Sequence, residues 1–149
     1  MVAPWEALAM QNQSTGLTKP LARYVHTRKA GGLMFIAGQG CRDPQTDSYP
    51  GLTRDAAGKV TAHDITAQTK GVLANIERVL KSEGLDRSDI VDVNVFLTDM
   101  DEFPAMNAVW NDFFAETPPP TRTTVAVKAL PGLNYVEMKV IAACRPTTR

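Results

Sequence analysis

The chain has 149 residues, of which 44% are hydrophobic and 21% are charged, and its formal net charge at pH 7 is zero. A chain of this length and composition is expected to form one soluble domain with a core of its own. The zero net charge argues against nucleic acid as a partner, because proteins that bind nucleic acid usually present an excess of lysine and arginine.

The sequence also gives no sign of a membrane segment, a metal site or a cofactor. No apolar run approaches the roughly 20 residues that cross a bilayer, and the N-terminus lacks a signal-peptide pattern, so we expect a cytoplasmic protein. Cys41 and Cys144 are isolated from each other and from the two histidines, which predicts neither a disulfide framework nor a metal centre. Cys41 as a nucleophile would need an activating partner that the sequence does not reveal. No GxGxxG, GxxxxGK[ST] or GxSxG motif occurs, so no nucleotide cofactor or serine nucleophile is expected.

The N-terminal part of the chain is predicted to contain an arm and a hairpin. Residues 1–20 show no lasting period and are interpreted as a partly ordered arm that precedes a single domain over residues 21–149. A first strand is predicted from Tyr24 to Lys29 and a second from Leu33 to Ala37. Gly31-Gly32 between them is typical of a hairpin turn.

The middle of the chain is predicted to alternate between helix and strand. Glycine and proline punctuate residues 38–60, which predicts a long loop. Apolar residues at three- and four-residue spacings predict a helix from Asp64 to Glu83. Alternating apolar residues predict a strand from Asp89 to Thr98. A second helix is predicted to open at Asp99, with Glu102 as its capping-box partner.

The last third is predicted to supply two further strands. The three prolines at 118–120 end the second helix, and alternating β-branched residues predict a strand from Thr121 onward. The last strand is predicted from Tyr135 to Cys144. The resulting order, β-β-α-β-α-β-β, favours a two-layer α+β domain with both helices on one face of a single sheet. The uncovered face would mix apolar and charged residues, which is typical of a surface closed by another copy of the chain.

Two charged residues of the last strands are the strongest candidates for chemistry. The predicted alternation places Thr123 and Val125 toward the core, and Arg122 and Thr124 on the uncovered face together with Glu137. A guanidinium suits a carboxylate ligand, and a neighbouring carboxylate can orient a water or move a proton. An Arg–Glu ion pair within a subunit interface would give the same pattern, so the residues alone leave both interpretations open.

The two histidines differ as candidates for a proton carrier. His26 shares a predicted strand face with Tyr24 and Arg28 and is kept as a candidate proton carrier. His63 falls at a helix start, where a polar surface residue is expected.

Several short motifs, each weak alone, occur together between Tyr24 and Arg145. They are Gly38-Gln39 after an apolar strand, Gln68 and Asn75 on the first helix, the run from Gly84 to Val91, Val95-Phe96-Leu97, Phe103 with Asn107, Phe113-Phe114, and the run from Val136 to Ala142. In this combination the chain resembles the reactive intermediate (enamine/imine) deaminase A family. The resemblance implies a chorismate-mutase-like α+β fold and a homotrimer with active sites in the clefts between subunits, and leaves open whether trimers pair into hexamers.

Within that family, Pro120 to Val127 and Tyr24-Val25-His26 are most similar to the members that deaminate 2-aminomuconate in aromatic (tryptophan and aminophenol) degradation. The resemblance implies that Arg122 binds the substrate carboxylate and that Glu137 handles the attacking water. It also implies that Tyr24 and Asn107 line the pocket, and that no metal or cofactor is needed. The further candidates for the substrate site are His26, Gly38, Arg42 and Thr124.

Because 2-aminomuconate carries two carboxylates, one arginine does not suffice. Arg122 is expected to take the carboxylate beside the amino group. Arg42, His26 or Arg28 is then expected to meet the distal one.

Two departures from the common family pattern bear on the substrate. Ala37 stands where many members have serine, and Thr124 stands where cysteine is common. Both departures argue against the small imine substrates that are usual in the family, and neither affects Arg122 or Glu137. Two alternatives stay open, a generalist deaminase of 2-iminobutanoate or 2-aminoacrylate and a non-catalytic trimer that binds a small acid.

Overall fold

The computed structural model describes Ala3 and residues 16–146, so most of the predicted arm over residues 1–20 lies outside the described residues. In chain order, the elements are β1 (Thr27–Ala30), β2 (Leu33–Gln39), β3 (Leu52–Arg54), β4 (Val60–His63), α1 (Ile65–Ser82), β5 (Ile90–Leu97), α2 (Phe103–Phe113), β6 (Thr121–Ala126) and β7 (Val136–Ala143). One-turn 3₁₀ helices at Arg87–Asp89 and Met100–Glu102 precede β5 and α2.

Five strands form the main sheet in the order β1-β2-β7-β5-β6, and β3 pairs with β4 in a separate ribbon. β5 and β6 run parallel, while the other neighbours are antiparallel. The helices cover one face of the sheet and enclose the core with alternate residues of the central strands, including Val93, Val95, Met138 and Val140. The predicted two-layer α+β architecture is confirmed. None of the helices in the described ranges combines the length and apolar character needed to cross a membrane.

Helix α1 forms where its apolar stripe and its caps predict it. Asp64 Oδ1 accepts hydrogen bonds from the backbone N–H groups of Thr66 (2.9 Å) and Ala67 (3.3 Å), which are unpaired at a helix start. Gly84 follows the last turn at φ 71°, a conformation that glycine adopts without steric cost. The apolar stripe is buried, with Val72, Ile76 and Leu80 at 0–1% exposure.

The first hairpin is confirmed with a shifted start. Gly31 (φ 58°) and Gly32 (φ 77°) form its turn, as two-residue hairpins of this hand require. β1 begins at Thr27, so Tyr24 and His26 lie in the segment before the strand rather than within it.

The long loop predicted over residues 38–60 is interrupted, because the range contains β3 and the start of β4. These strands are three and four residues long and mostly exposed, so they lack the apolar alternation that identifies a strand. Their turn is built by Asp55, whose carboxylate accepts from the N–H groups of Ala57 and Lys59.

The capping box predicted at the second helix is also wrong. Asp99 caps the 3₁₀ turn by accepting from the N–H of Asp101. The Glu102 carboxylate instead meets His63 Nε2 at 2.9 Å, and α2 begins one residue later at Phe103.

The two faces of β6 are the reverse of the prediction. Arg122 pairs in register with Val93, which is 1% exposed beneath the helices, so Arg122 and Thr124 lie on the helix-covered face. Thr123 and Val125, predicted to face the core, are exposed on the open side. Both faces of this strand carry threonine beside small apolar residues, so alternation alone gives little contrast between them. The arginine stem supplies the apolar surface that packs against α2.

A register shift changes the start of β5 in the same way. The pairing with β7 slips between Ile90 and Asp92. Ile90 is therefore buried, while Val91, the first of the alternating valines, is 44% exposed.

The open face of the sheet has the predicted mixed character. Phe96, Glu137, Lys139 and Ile141 all lie on it, together with Phe35. Tyr135, predicted as the first residue of the last strand, precedes β7 and stacks on His63 with ring centroids 3.6 Å apart. Closure of this face by another copy of the chain stays a prediction.

Candidate active site

A cavity of about 550 Å³ opens on the sheet face that the helices leave uncovered. Its walls are the end of β2 and the loop after it, β7, the 131–134 turn and the segment before β1. Five predicted substrate-site residues line it, namely Tyr24, His26, Gly38, Arg42 and Glu137. Arg122, Asn107 and Thr124 do not.

Glu137 is the acid of this cavity. It projects from the open face of β7 and is partly buried, and burial raises the pKa of its carboxyl group. Gly38 makes room for it, because a Cβ atom at that position would collide with Glu137 Oε1. The carboxylate is thus set in a poorly solvated niche where it accepts a proton more readily than a surface carboxylate does.

Asn134 and Cys41 support the wall beside it. Asn134 Oδ1 accepts from the Cys41 N–H at 2.8 Å, and its Nδ2 donates to the Pro131 carbonyl at 2.9 Å. A Cβ at Gly40 would strike this amide. Burial raises the pKa of the Cys41 thiol to about 12, so this cysteine supports the wall and is not a thiolate nucleophile.

Two buried amides of α1, Gln68 and Asn75, hold the loops that form the cavity. The bonds run from Gln68 Nε2 to the Leu133 carbonyl (2.9 Å), from the Tyr135 N–H to Gln68 Oε1 (2.8 Å), and from Asn75 Nδ2 to the carbonyls of Gly40 (2.8 Å) and Arg42 (2.9 Å). Their chemistry gave no role in the sequence analysis, where they entered only as family motif residues. Their positions could have indicated this role, because two amides seven residues apart on the apolar stripe of a helix must find buried hydrogen-bond partners.

His26 lines the cavity, but its ring is occupied. It is 3% exposed, and its Nε2 lies 2.6 Å from the Thr18 carbonyl, to which it must donate. Its Nδ1 faces the Gln39 amide nitrogen at 3.4 Å and acts as an acceptor. The imidazole therefore fastens the segment before β1 and offers no free N–H to a ligand, contrary to its predicted role.

The other two cations predicted for a distal carboxylate are no better placed. Arg42 Nη1 binds Asp47 at 2.6 Å and its Nη2 donates to the Lys19 carbonyl at 2.7 Å. Arg28 is exposed on β1 and does not line the cavity. None of the three predicted groups offers the cavity an unpaired charge.

Arg122 belongs to a second cluster, on the helix-covered face. Its Nη1 donates to Asn107 Oδ1 at 2.9 Å, and its guanidinium lies over the rings of Trp110 (4.8 Å) and Phe103 (5.4 Å). Burial lowers the pKa of this guanidinium, which is still charged at neutral pH. The neighbouring Thr124 hydroxyl is buried and has no partner in the part of the chain that the structure describes.

Arg122 and Glu137 therefore do not face each other within one chain. β5 lies between β6 and β7, and the two side chains lie on opposite faces of the sheet. The prediction that both side chains lie on the uncovered face is wrong. The order β5-α2-β6 could have indicated this separation, because a strand–helix–strand unit pairs its two strands in parallel. β7 must then pair with the other side of β5.

No group of three or more potential metal-binding side chains lies together among the described residues. His63, the other histidine, pairs with Glu102 outside the cavity.

Comparison with known proteins adds four similarities. A family model described as endoribonuclease L-PSP matches residues 16–144. A RutC family protein of Pyrococcus abyssi is 36% identical over 124 residues, which is 83% of this chain and 88% of that protein. The crystal structure of E. coli TdcF with bound serine matches with a TM-score of 0.77 at 28% identity, covering 89% of this chain and 97% of that one. RidA from an Antarctic Psychrobacter matches with a TM-score of 0.75 at 28% identity, covering 89% and 98%.

Proposed function

Because the chain belongs to the endoribonuclease L-PSP family of RutC and RidA proteins, which includes imine and enamine deaminases, we propose that it is a cytoplasmic hydrolytic deaminase acting on 2-aminomuconate. The observation that carries the proposal is Glu137, a carboxylate of raised pKa that lines a cavity together with two lysines. Such a group removes a proton from an attacking water.

The reaction needs only positioning and proton transfer. The enamine takes a proton on carbon and becomes an iminium ion. Water then adds to the C=N carbon while Glu137 accepts one of its protons, and returning that proton to nitrogen releases ammonia and leaves the ketone. From 2-aminomuconate the product is 4-oxalocrotonate, and the atoms of one water and one enamine balance those of one ketone and one ammonia.

Arg122 has the chemistry to hold the carboxylate beside the reacting carbon, and it reaches the cavity only if chains assemble. Within one chain it and Glu137 lie on opposite sides of the sheet. We infer that the site lies between subunits of a homotrimer, with Arg122, Asn107 and Thr124 from one chain facing Glu137 of the next. The unpaired Thr124 hydroxyl supports this arrangement, because a buried hydroxyl without a partner is costly.

The serine bound to TdcF supports a small amino or imino acid as the class of ligand. Cleavage of RNA, which the family description mentions, is not our proposal. The formal net charge of the chain is zero, and an RNA backbone would call for an excess of cationic side chains.

The test is ammonia release from freshly generated 2-aminomuconate, compared with 2-iminobutanoate at matched enzyme concentration. We expect the dicarboxylate to be preferred, and Arg122→Ala to lower kcat/KM by roughly a hundredfold or more, as removal of a charge-assisted contact does. Arg54→Ala is the matched control, since Arg54 donates to the Gly58 carbonyl of its own hairpin and does not line the cavity.

Near-normal turnover by Arg122→Ala would exclude the assigned role of the arginine. Preference for 2-iminobutanoate would favour the generalist deaminase instead. Absence of ammonia from both substrates would refute the proposed function.

A further inference from the structure

The cavity carries more positive charge than its own structure uses. Four charged side chains line it, Lys19, Arg42, Lys139 and Glu137. Arg42 is neutralised by Asp47. Within the described ranges, neither lysine ammonium has a hydrogen-bond or ion-pair partner, although both share the cavity with the Glu137 carboxylate. Two unpaired cations in a concave site of a chain without net charge indicate an anionic ligand.

The backbone of Lys139 lies close to that of Glu137. It follows Glu137 by two residues on the same face of β7, which separates their Cα atoms by about 7 Å along the strand. Among the described residues no ion pair joins Lys139 to Glu137, whose pKa is raised by burial. The flexible stem of the lysine leaves the ammonium free to meet a ligand.

Lys19 is held over the same cavity by a strap, the name used here for residues 18–22. Two cavity residues bind the strap through hydrogen bonds to its backbone. His26 donates to the Thr18 carbonyl at 2.6 Å, and Arg42 donates to the Lys19 carbonyl at 2.7 Å. These bonds hold the main chain of the strap beside the cavity, and Lys19 is one of the residues that line it.

We propose that Lys139 and Lys19 form the subsite for the second carboxylate of the substrate, so that the site selects dicarboxylates. The inference rests on the proposed function and replaces Arg42, His26 and Arg28 as candidates for the distal contact. His26 and Arg42 become positioning residues, which act by holding the strap. In 2-aminomuconate the distal carboxylate lies four bonds from the carbon that water attacks, a span that the spacing of Glu137 and Lys139 along β7 accommodates.

A binding measurement isolates the subsite from catalysis. trans,trans-Muconate and sorbate share one six-carbon diene skeleton, and differ in that muconate has a second carboxylate where sorbate has a methyl group. By titration calorimetry on the assembled wild-type protein, we expect muconate to bind at least tenfold more tightly than sorbate. A charge-assisted contact is typically worth that much.

The variants are Lys139→Gln, Lys19→Gln and their double substitution, with Lys59→Gln as control, because Lys59 is exposed in the β3–β4 turn and does not line the cavity. The double variant is expected to lose the preference for muconate, with the larger share lost at Lys139. The control is expected to keep it.

Equal affinity of the wild type for the two acids, or a preference within threefold of wild type in the double variant, would overturn the subsite. Ammonia release then separates the two proposals. A lysine-dependent preference for muconate without any deamination would leave the subsite standing and refute the enzyme, whereas deamination that is indifferent to both lysines would do the reverse.

Discussion

Gly38 shows how one residue sets the position of the acid in the cavity. The glycine lies beside Glu137, and its missing side chain is the space that the carboxylate fills. Since the φ of Gly38 is not in the left-handed region, an alanine there would be tolerated by the backbone. The cost of the substitution therefore falls on the Glu137 side chain, which must move.

Gly38→Ala is expected to lower kcat/KM by roughly tenfold to a hundredfold, since displacement of a catalytic group by about 1 Å has effects of this size. The melting temperature should change little, because the end of a glutamate side chain is flexible. Steady-state kinetics and a thermal melt of the same preparation check both parts. Unchanged kinetics would show that the close approach does not fix the acid.

Glu137 is expected to lower the stability of the fold at neutral pH while it supports activity. Burial raises its pKa, so the folded chain binds this proton more tightly than the unfolded chain does. The stabilisation that follows is present below the unfolded pKa near 4.5 and is lost as pH rises through the higher folded value. At neutral pH the charged group opposes folding.

Glu137→Gln is accordingly expected to abolish turnover while raising the melting temperature at pH 7 by up to about 3 °C. The gain should disappear at pH 4. Glu116→Gln, at an exposed position after α2, serves as the matched control and should show neither effect. A variant that melts lower than wild type at pH 7 would contradict the assigned burial cost.

At the scale of elements, α1 links the core to the cavity. The helix was predictable because its stripe, its aspartate cap and its terminal glycine all agree with the same boundaries. What the stripe could not show is that Gln68 and Asn75 hold the loops of the cavity, because that depends on carbonyls distant in sequence.

Asn75→Ala leaves the carbonyls of Gly40 and Arg42 without their donor and should lower the free energy of unfolding by about 2 kcal/mol. KM should rise as well, because Arg42 holds the strap. Urea denaturation and steady-state kinetics give the two readouts. Asn111→Ala, on the exposed face of α2, is the control. Equal stability of the two variants would show that the Asn75 bonds contribute nothing measurable.

The orientation of β6 could not be predicted from the sequence. The hairpin around Gly31-Gly32 was predictable since its turn residues and its strands agree. The faces of β6 were not, because an edge strand of alternating threonines has no strong apolar side, and its orientation is set by its parallel pairing with β5. The candidate residues Arg122 and Glu137 were thus found by type but misplaced relative to each other.

At the scale of the whole molecule, the separation of Arg122 and Glu137 makes assembly a functional question. Neither cluster holds both groups, so a site built from both needs two chains. The partly apolar open face, with Phe35 and Val125 at 39% and 41% exposure, is suited to such a contact.

Mixing two inactive proteins tests this directly. Arg122→Ala and Glu137→Gln chains, co-expressed in equal amounts, should recover roughly a quarter of wild-type activity, because that share of clefts combines two intact groups from neighbouring chains. Each variant alone should be inactive. Sedimentation analysis confirms that hybrids have formed, and hybrids without activity would place both groups of each site in the same chain.

The strap has a consequence for how this protein can change its substrate. Both hydrogen bonds that hold the strap are accepted by backbone carbonyl oxygens, which every amino acid provides. Residues 18 and 19 can therefore be substituted without loss of these bonds. Specificity is thereby separated from folding. A short graft in place of residues 18–22 would present new side chains to an unaltered acid, and one scaffold would serve a range of imino acids.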